Sequence, residues 1–323
     1  MRTPFQKFIK AITPSSFRVF IRKQLKTALF GIVKICRRLG YEIYPIKSYY
    51  SPIPNFEKLK SNLSRWTKPS KLVGVPYKMT SMESLLIEII QQFKNEYALL
   101  PTYSEMVKKK FGPGYTYLDS LVLYCIIRKF KPKRYVEVGS GLSTWYCAQA
   151  AIQNLTEGHS LKISCIEPFP HEKLKTIPNI EITQLEVQEV AVEYFDKLES
   201  GDILFIDSSH IVKVDSDVPF LHLEVLPRLK KGVIVHIHDI PFPYNTPFPP
   251  DRWVLKPGFP MYWNEAMLVQ AFLAFNDSFE ILLSAPLIRF HNEKFLEDIV
   301  PHYEGIQKNP NTFSSLWIKK IKD

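Results

Sequence analysis

Three short apolar runs end in polar residues whose types could do ligand and proton chemistry. The run Leu161–Ile166 stops at Glu167-Pro168. Asp202–Ile206 stops at Asp207-Ser208-Ser209-His210, and Val233–Ile237 runs into His238-Asp239. A carboxylate can accept two hydrogen bonds at once, which suits a vicinal diol. A histidine titrates near neutral pH and can move a proton. Two acids at neighbouring strand ends can hold a hard divalent cation such as Mg²⁺. Each residue also has a plainer reading. Asp207 could cap a turn, His236 and His238 could be hydrogen-bonded strand residues, and His222 could be a core residue within a helix.

The elements that must position these residues centre on Arg134–Thr144, Arg-Tyr-Val-Glu-Val-Gly-Ser-Gly-Leu-Ser-Thr. This reads as a strand, a glycine turn and a helix. Glycines at Gly139 and Gly141 let backbone N–H groups and the helix N-terminus come close to a ligand. A buried carboxylate at Glu137 would suit a cationic ligand. The full dinucleotide pattern is absent, because Thr144 takes its last glycine position, and no Walker-type Gly-Lys-Ser/Thr is present after it. Strands are expected near 134–138, 161–166, 180–185, 202–206 and 233–237. Helices are expected near 142–155, 190–199 and 216–229. Strict alternation implies parallel strands with right-handed crossovers. Ligands bind outside the carboxyl ends of such strands, so the polar residues share one rim.

Composition narrows the choice of partners. The chain has 323 residues, 46% hydrophobic and 23% charged, enough for one large globular domain with extensions. Cys36, Cys125, Cys147 and Cys165 form no Cys-x-x-Cys pair, which argues against a disulfide framework or zinc ribbon and for a reducing compartment. The net charge of +10 is concentrated in the first 41 residues, which hold Arg2, Lys7, Lys10, Arg18, Arg22, Lys23, Lys26, Lys34, Arg37 and Arg38 and no acid. The remainder balances, so nucleic-acid binding by the core is disfavoured. No early apolar run reaches the ~20 residues of a membrane span, and the expectation is a cytoplasmic protein. Phe17–Leu39 reads as a helix, with Ser15 or Ser16 as cap and Gly40 as its end. Ile21, Leu25, Ala28, Ile32, Ile35 and Leu39 form its apolar seam. That seam could pack on the protein's own body, lie on an anionic membrane surface as a peripheral contact, or pair as a coiled coil.

Downstream, prolines break Tyr41–Val75 into a connector. Thr80–Tyr97 reads as a helix with a Thr80/Glu83 capping box. Phe111–Gly114 reads as a turn, followed by Tyr115, Tyr117 and a helix over 118–130. Seven prolines and seven aromatics crowd the loop after the fifth strand, which reads as a lid over an acceptor site or a plug on the sheet edge. A helix over 264–276 and strands over 279–283 and 314–319 close the chain, with 286–311 unassigned. The resulting division is a basic arm over 1–44, a connector and helical cap over 45–117, and an α/β domain over 118–323 with a lid loop over 240–262.

As a set, Glu-Val-Gly-Ser-Gly (137–141), Ile-Glu-Pro (166–168), Phe-Ile-Asp-Ser-Ser-His (205–210) and Val-His-Ile-His-Asp-Ile (235–240) resemble class I S-adenosylmethionine-dependent methyltransferases. More narrowly, the chain resembles a bacterial group associated with polysaccharide and natural-product modification. The resemblance implies a doubly wound, mostly parallel, seven-stranded Rossmann-like sheet with an α-helical N-terminal extension. It implies that Gly139, Ser140 and Gly141 approach the methionine moiety, with Glu137 near its amino group and Ser143 or Thr144 capping the helix. Glu167 would take the ribose hydroxyls, and Gln188 or Glu189 would lie near the adenine. Asp207, His210, His238 and Asp239 would face the acceptor. In similar metal-dependent enzymes the corresponding acids hold Mg²⁺, which suggests Asp207 and Asp239 as ligands. Here Ser208-Ser209-His210 replaces the usual lysine and Ile240 the usual asparagine, so His210 becomes the candidate base.

The expected function is therefore O-methylation of a hydroxyl on a small-molecule or glycan acceptor, of sugar or glycoside type. Two other readings compete. One is a non-catalytic binding module in a membrane-associated assembly. The other is a metal-dependent hydrolase or oxygenase built on the Asp/His rim.

Overall fold

The computed structural model describes residues 15–111, 115–305, 308 and 313–323. The chain divides into two units, Met1–Leu59 and Lys60–Asp323. Within the connector and helical cap read over 45–117, residues 60–117 fall in the same unit as the α/β core.

In the first unit, helix α1 (Ser15–Arg38) carries no acid in its first turn and Arg37 and Arg38 in its last, a favourable match to the helix dipole. Gly40, at φ +83°, ends it as expected, and the Tyr41 N–H reaches back to the Cys36 carbonyl at 2.8 Å. The seam residues Leu25, Ile32, Ile35 and Leu39 are exposed. No helix among the described residues is long and apolar enough to cross a membrane. The basic stretch before Ser15 and the turn at 112–114 lie outside the described residues.

The second unit is built on a seven-stranded sheet of order β3-β2-β1-β4-β5-β7-β6. Its strands are β1 (Arg134–Val138), β2 (Lys162–Ile166), β3 (Ile180–Thr183), β4 (Ile203–Ile206), β5 (Ile234–Ile237), β6 (Phe279–Ser284) and β7 (Leu316–Lys320). The first five are parallel; β7 runs antiparallel between β5 and β6. This is the doubly wound, mostly parallel, seven-stranded sheet that the resemblance implies, with the reversal supplied by the two C-terminal runs. β1, β4 and β5 are almost wholly buried, as strands covered on both faces must be.

Register sets the functional rim. Val138 pairs with Ile166 and Ile206, and Ile206 with Ile237. The residues just beyond these pairs therefore leave the sheet side by side, and the Asp207 and His238 N–H groups still bond to Val138 and Ile206 carbonyls at 2.9 and 2.8 Å. Helices α2 (Met79–Tyr97), α3 (Tyr117–Phe130) and α4 (Leu142–Thr156) pack by their apolar faces, α3 touching both others. Helix α2 starts one residue before Thr80, with Lys78 as an uncapped N-cap, so the expected Thr80/Glu83 box does not form. A capping box occurs instead at Thr102 and Glu105.

Two expected helices are altered. Residues 190–199 make only a 3₁₀ stretch, Val192–Lys197, whose buried Phe195 and nearby Leu198 follow its three-residue period. Residues 216–229 break into Asp217–Phe220, a π turn at Leu221–Val225 and Leu226–Arg228. Pro227, which lacks an N–H, sits just after the π turn. Helix α5 (Glu265–Leu273) comes after the proline-rich loop. The unassigned C-terminal stretch contains helix α6 (Ala285–Ile299), capped by the Ser284 side chain.

Candidate active site

At the end of β1 the chain turns on Gly139, φ +85°. A Cβ there would lie 2.4 Å from the Asp207 carbonyl oxygen, so only glycine lets β1 and β4 end this close together. Gly141 is extended, and its N–H donates to Thr144 Oγ1 at 3.0 Å. Ser143 Oγ and Thr144 Oγ1 donate to the two oxygens of Glu137 at 2.5 and 2.7 Å. Glu137 is fully buried. Burial pushes its carboxyl up to about 8 against the lowering effect of Ser143 and Thr144. The expectation that Glu137 faces a ligand amino group is corrected by this geometry. Both of its oxygens are taken by the first turn of α4, and it fastens that helix to the strand from below. Ser143 and Thr144 act in this strut.

Above that floor lies a cavity of about 360 Å³ lined by Gly139, Glu167, Gln188, Asp207, Ser208 and Asp217, among others. Ser140 Oγ donates to Glu167 Oε2 at 3.3 Å, and the Phe169 N–H donates to Oε1 at 2.8 Å. Gln188 faces the cavity; its Oε1 is buried and makes no hydrogen bond. Glu189 is exposed and turned away, accepting from the Glu186 N–H at 3.0 Å. Of that pair, the structure therefore brings only Gln188 to the cavity. Tyr115 and Tyr117 do not line it. Tyr115 is buried with its ring 5.1 Å from that of His238, and Tyr117 packs against Tyr97 and Tyr103.

Beside the cavity, the ends of β4 and β5 form a dense charged cluster. His210 takes a left-handed backbone, φ +60°, which turns its ring inward to 5% exposure. Its Nε2 lies 3.3 Å from Asp207 and 3.5 Å from Asp239, and its Nδ1 lies 2.8 Å from Glu265 Oε2. Burial alone would lower the His210 pKa. Hydrogen bonds to Asp207 and Glu265 and the charge of Asp239 outweigh it and hold the pKa well above the ordinary value. Burial likewise opposes the charge on His238, but Asp239, Asp207 and Asp119 raise its pKa. Asp207 is lowered: burial acts against ionisation, and the two histidines overcome it. The carboxylates on both sides of the ring thus favour the protonated form of His210, the candidate base. His236 is a packing residue, stacked on Phe205 at 3.9 Å and bonded to Ser315 at 3.0 Å, with its pKa pushed far down by burial.

Sequence reasoning missed Glu265 and Ser314. Glu265 is 1% exposed at the start of α5, and also accepts from Ser208 Oγ at 3.1 Å. Ser314 Oγ donates to Asp239 Oδ1 at 2.5 Å. The only signal for Glu265 was an acid opening an otherwise apolar helix; Ser314 gave none.

Asp207, His238 and Asp239 offer ligand atoms within 4.8 Å of one another. The set does not match the expected Mg²⁺ site. It includes an imidazole, whereas Mg²⁺ takes oxygen ligands in strict octahedral geometry. The His210 ring already stands within 3.5 Å of both carboxylates. No step of the proposed reaction is routed through a metal.

Residues 136–240 match a family described as a methyltransferase domain. That stretch of the chain is similar to a methyltransferase domain. The match spans the glycine turn, Glu167 and the whole Asp207–Asp239 cluster, and it does not favour the binding-module or hydrolase readings. An uncharacterised protein of Archaeoglobus fulgidus is 26% identical to this chain over 198 residues, 58% of this chain and 87% of that one. Among solved structures, the O-methyltransferase TomG of Streptomyces achromogenes, involved in tomaymycin synthesis and seen with S-adenosylmethionine, is 12% identical. That likeness covers 83% of this chain and 96% of TomG, with a TM-score of 0.41. An O-methyltransferase of Bacillus cereus seen with S-adenosylhomocysteine is 14% identical over 82% of this chain and 96% of its own, with a TM-score of 0.38.

Proposed function

We propose that the methyltransferase uses S-adenosylmethionine to methylate a hydroxyl group of a small-molecule or glycan acceptor, of sugar or glycoside type. The observation that carries this reading is the shared position of Asp207. It lines the 360 Å³ cavity and at the same time bonds His210 in the charged cluster. A methyl donor in the one is thus next to proton-handling groups in the other.

The cavity's own chemistry fits the donor. Gly139, where a Cβ would collide with the Asp207 carbonyl, lets β1 and β4 close together at the cavity wall. Glu167 offers a carboxylate at the edge of the cavity, which suits two ribose hydroxyls. Gln188 presents an unused carbonyl oxygen that can accept from an exocyclic amine. When bound, the donor supplies an electrophilic methyl carbon; the protein has to align the acceptor and take its proton. Asp207 is part-exposed at the cavity wall and is the first base an incoming hydroxyl meets. His210 keeps Asp207 in place, and Glu265 holds the far side of the ring through Nδ1. His238 and Asp239 extend the cluster, so the released proton is shared over coupled groups.

Isothermal titration with S-adenosylhomocysteine tests the reading. Micromolar-or-tighter binding that is lost in Gly139→Arg supports it. Absence of binding to the folded wild-type protein overturns it.

A further inference from the structure

The proline-rich loop and helix α6 meet around a buried arginine that the methyl-transfer reading does not use. Arg289, in the second turn of α6, is 9% exposed. Its guanidinium lies over the rings of Phe248 at 5.1 Å and Phe313 at 4.6 Å. Among the described residues it forms no ion pair, and its Nη1 is buried without a hydrogen bond. Asp119 is engaged by Thr116 and Ser315, and Glu293 by Tyr303 at 3.0 Å, while the exposed Glu304 and Lys94 also line the cavity that Arg289 borders. A guanidinium has five donors and is costly to bury without an acceptor. Burial accordingly works against its charge.

Arg289 lines a second cavity, of about 800 Å³, together with Tyr103, Tyr117, Tyr303, Thr102 and Phe313. The cavity has an apolar, aromatic wall with hydroxyls at its edge and one buried cation. That is the make-up of a pocket for an organic ligand with an anionic end. It is one residue layer away from the catalytic cluster. Phe313 adjoins Ser314, which donates to Asp239, and Tyr103 donates its hydroxyl proton to the carbonyl of Tyr115, whose ring faces His238.

We propose that this second cavity binds a ligand carrying a carboxylate or phosphate, with Arg289 as its counter-ion and the aromatic wall against its body. The proposal stands independently of the methyl-transfer reading. Stacking between two rings leaves the guanidinium edge, with its N–H fork, as the face presented to an anion.

The test is thermal unfolding of the full chain at fixed ionic strength with phenyl phosphate, benzoate, inorganic phosphate or benzyl alcohol. Phenyl phosphate or benzoate is expected to raise the melting temperature by about 5 °C near hundredfold saturation. Benzyl alcohol at equal concentration should leave it unchanged. Phosphate against carboxylate identifies the preferred anion, and inorganic phosphate reports how far the charge alone suffices. Arg289→Met should lose the shift, bind S-adenosylhomocysteine as the wild type does, and melt no lower than wild type without ligand, because an unpaired buried charge has been removed. Equal shifts with benzyl alcohol, no shift with either aromatic anion, or a clearly lower melting point for Arg289→Met would overturn the proposal. The last result would make the guanidinium a packing strut.

Discussion

The two ends of the rim are built on different plans. At β1 and β2, the cavity wall is local in sequence: Gly139 turns the chain, Ser140 and the Phe169 N–H hold Glu167, and Gln188 closes that side. This side has few charges and works through absent side chains and fixed acceptors. Around the ends of β4 and β5, two histidines and three acids meet at the His210 ring, and two of the five come from left-handed backbone positions, His210 and Asp239. Strain at such positions persists only where surrounding structure enforces it, and it collects at functional sites. The first end is a shaped socket; the second is a proton-handling cluster.

Breaking the socket should have the largest effect. Gly139→Val places a Cβ against the Asp207 carbonyl in a left-handed conformation, at a cost of about 3 kcal/mol. S-adenosylhomocysteine affinity is expected to fall about a hundredfold or more, read by calorimetry. Unchanged affinity would mean that the ligand does not use this turn. Breaking the cluster should leave binding intact and stop chemistry. Asp207→Asn is expected to lower kcat about 10²- to 10⁴-fold, the usual share of a general base, with the cofactor dissociation constant within a few-fold of wild type. If both fall together, the two ends are not separable.

A finer division lies inside the cluster. Glu265→Gln keeps the shape but removes the charge behind His210. The expected outcome is a fall in activity of about tenfold and a lower His210 pKa, read from its imidazole resonances by NMR. A packing role alone would not move that resonance.

Under the socket, Glu137 gives a pH effect whose sign can be worked out. Its folded pKa, about 8, lies above the usual carboxylate value. The folded state therefore holds a proton that the unfolded chain has released, and the stability this contributes is lost as pH rises through about 8. The slope is at most about 1.4 kcal/mol per pH unit. Glu137→Gln should flatten the fall in melting temperature between pH 5 and 9. A variant with the same pH profile as wild type would show that Glu137 is ionised in place. The smallest effect is expected at Ser140→Ala. This removes one 3.3 Å hydrogen bond to Glu167 and should weaken cofactor binding by about threefold.

The contrast between the two ends also explains how much could be read in the sequence. Strand ends at Glu167, Asp207 and His238-Asp239 were legible because buried parallel strands are continuous apolar runs, and register then fixes where the next residues leave the sheet. The glycine turn was legible because only glycine allows the approach of β1 to β4. Glu137 was placed on the right element but with the wrong outlook, since nothing in the spacing shows that Ser143 and Thr144 satisfy both of its oxygens. Glu265 lies 55 residues from His210, and Ser314 lies 75 from Asp239. Such contacts depend on how α5 and β7 return to the sheet, which no local pattern encodes. His210 shows the same limit: its residue type suggests a base, but only the fold reveals the three carboxylates around its ring that raise its pKa.

The most direct test is a crystal structure of the protein with S-adenosylhomocysteine. The account predicts density in the 360 Å³ cavity, with the ribose against Glu167, the adenine toward Gln188, and the sulfur end directed at Asp207. Density elsewhere on the molecule, or a ligand whose sulfur end points away from Asp207, would contradict it.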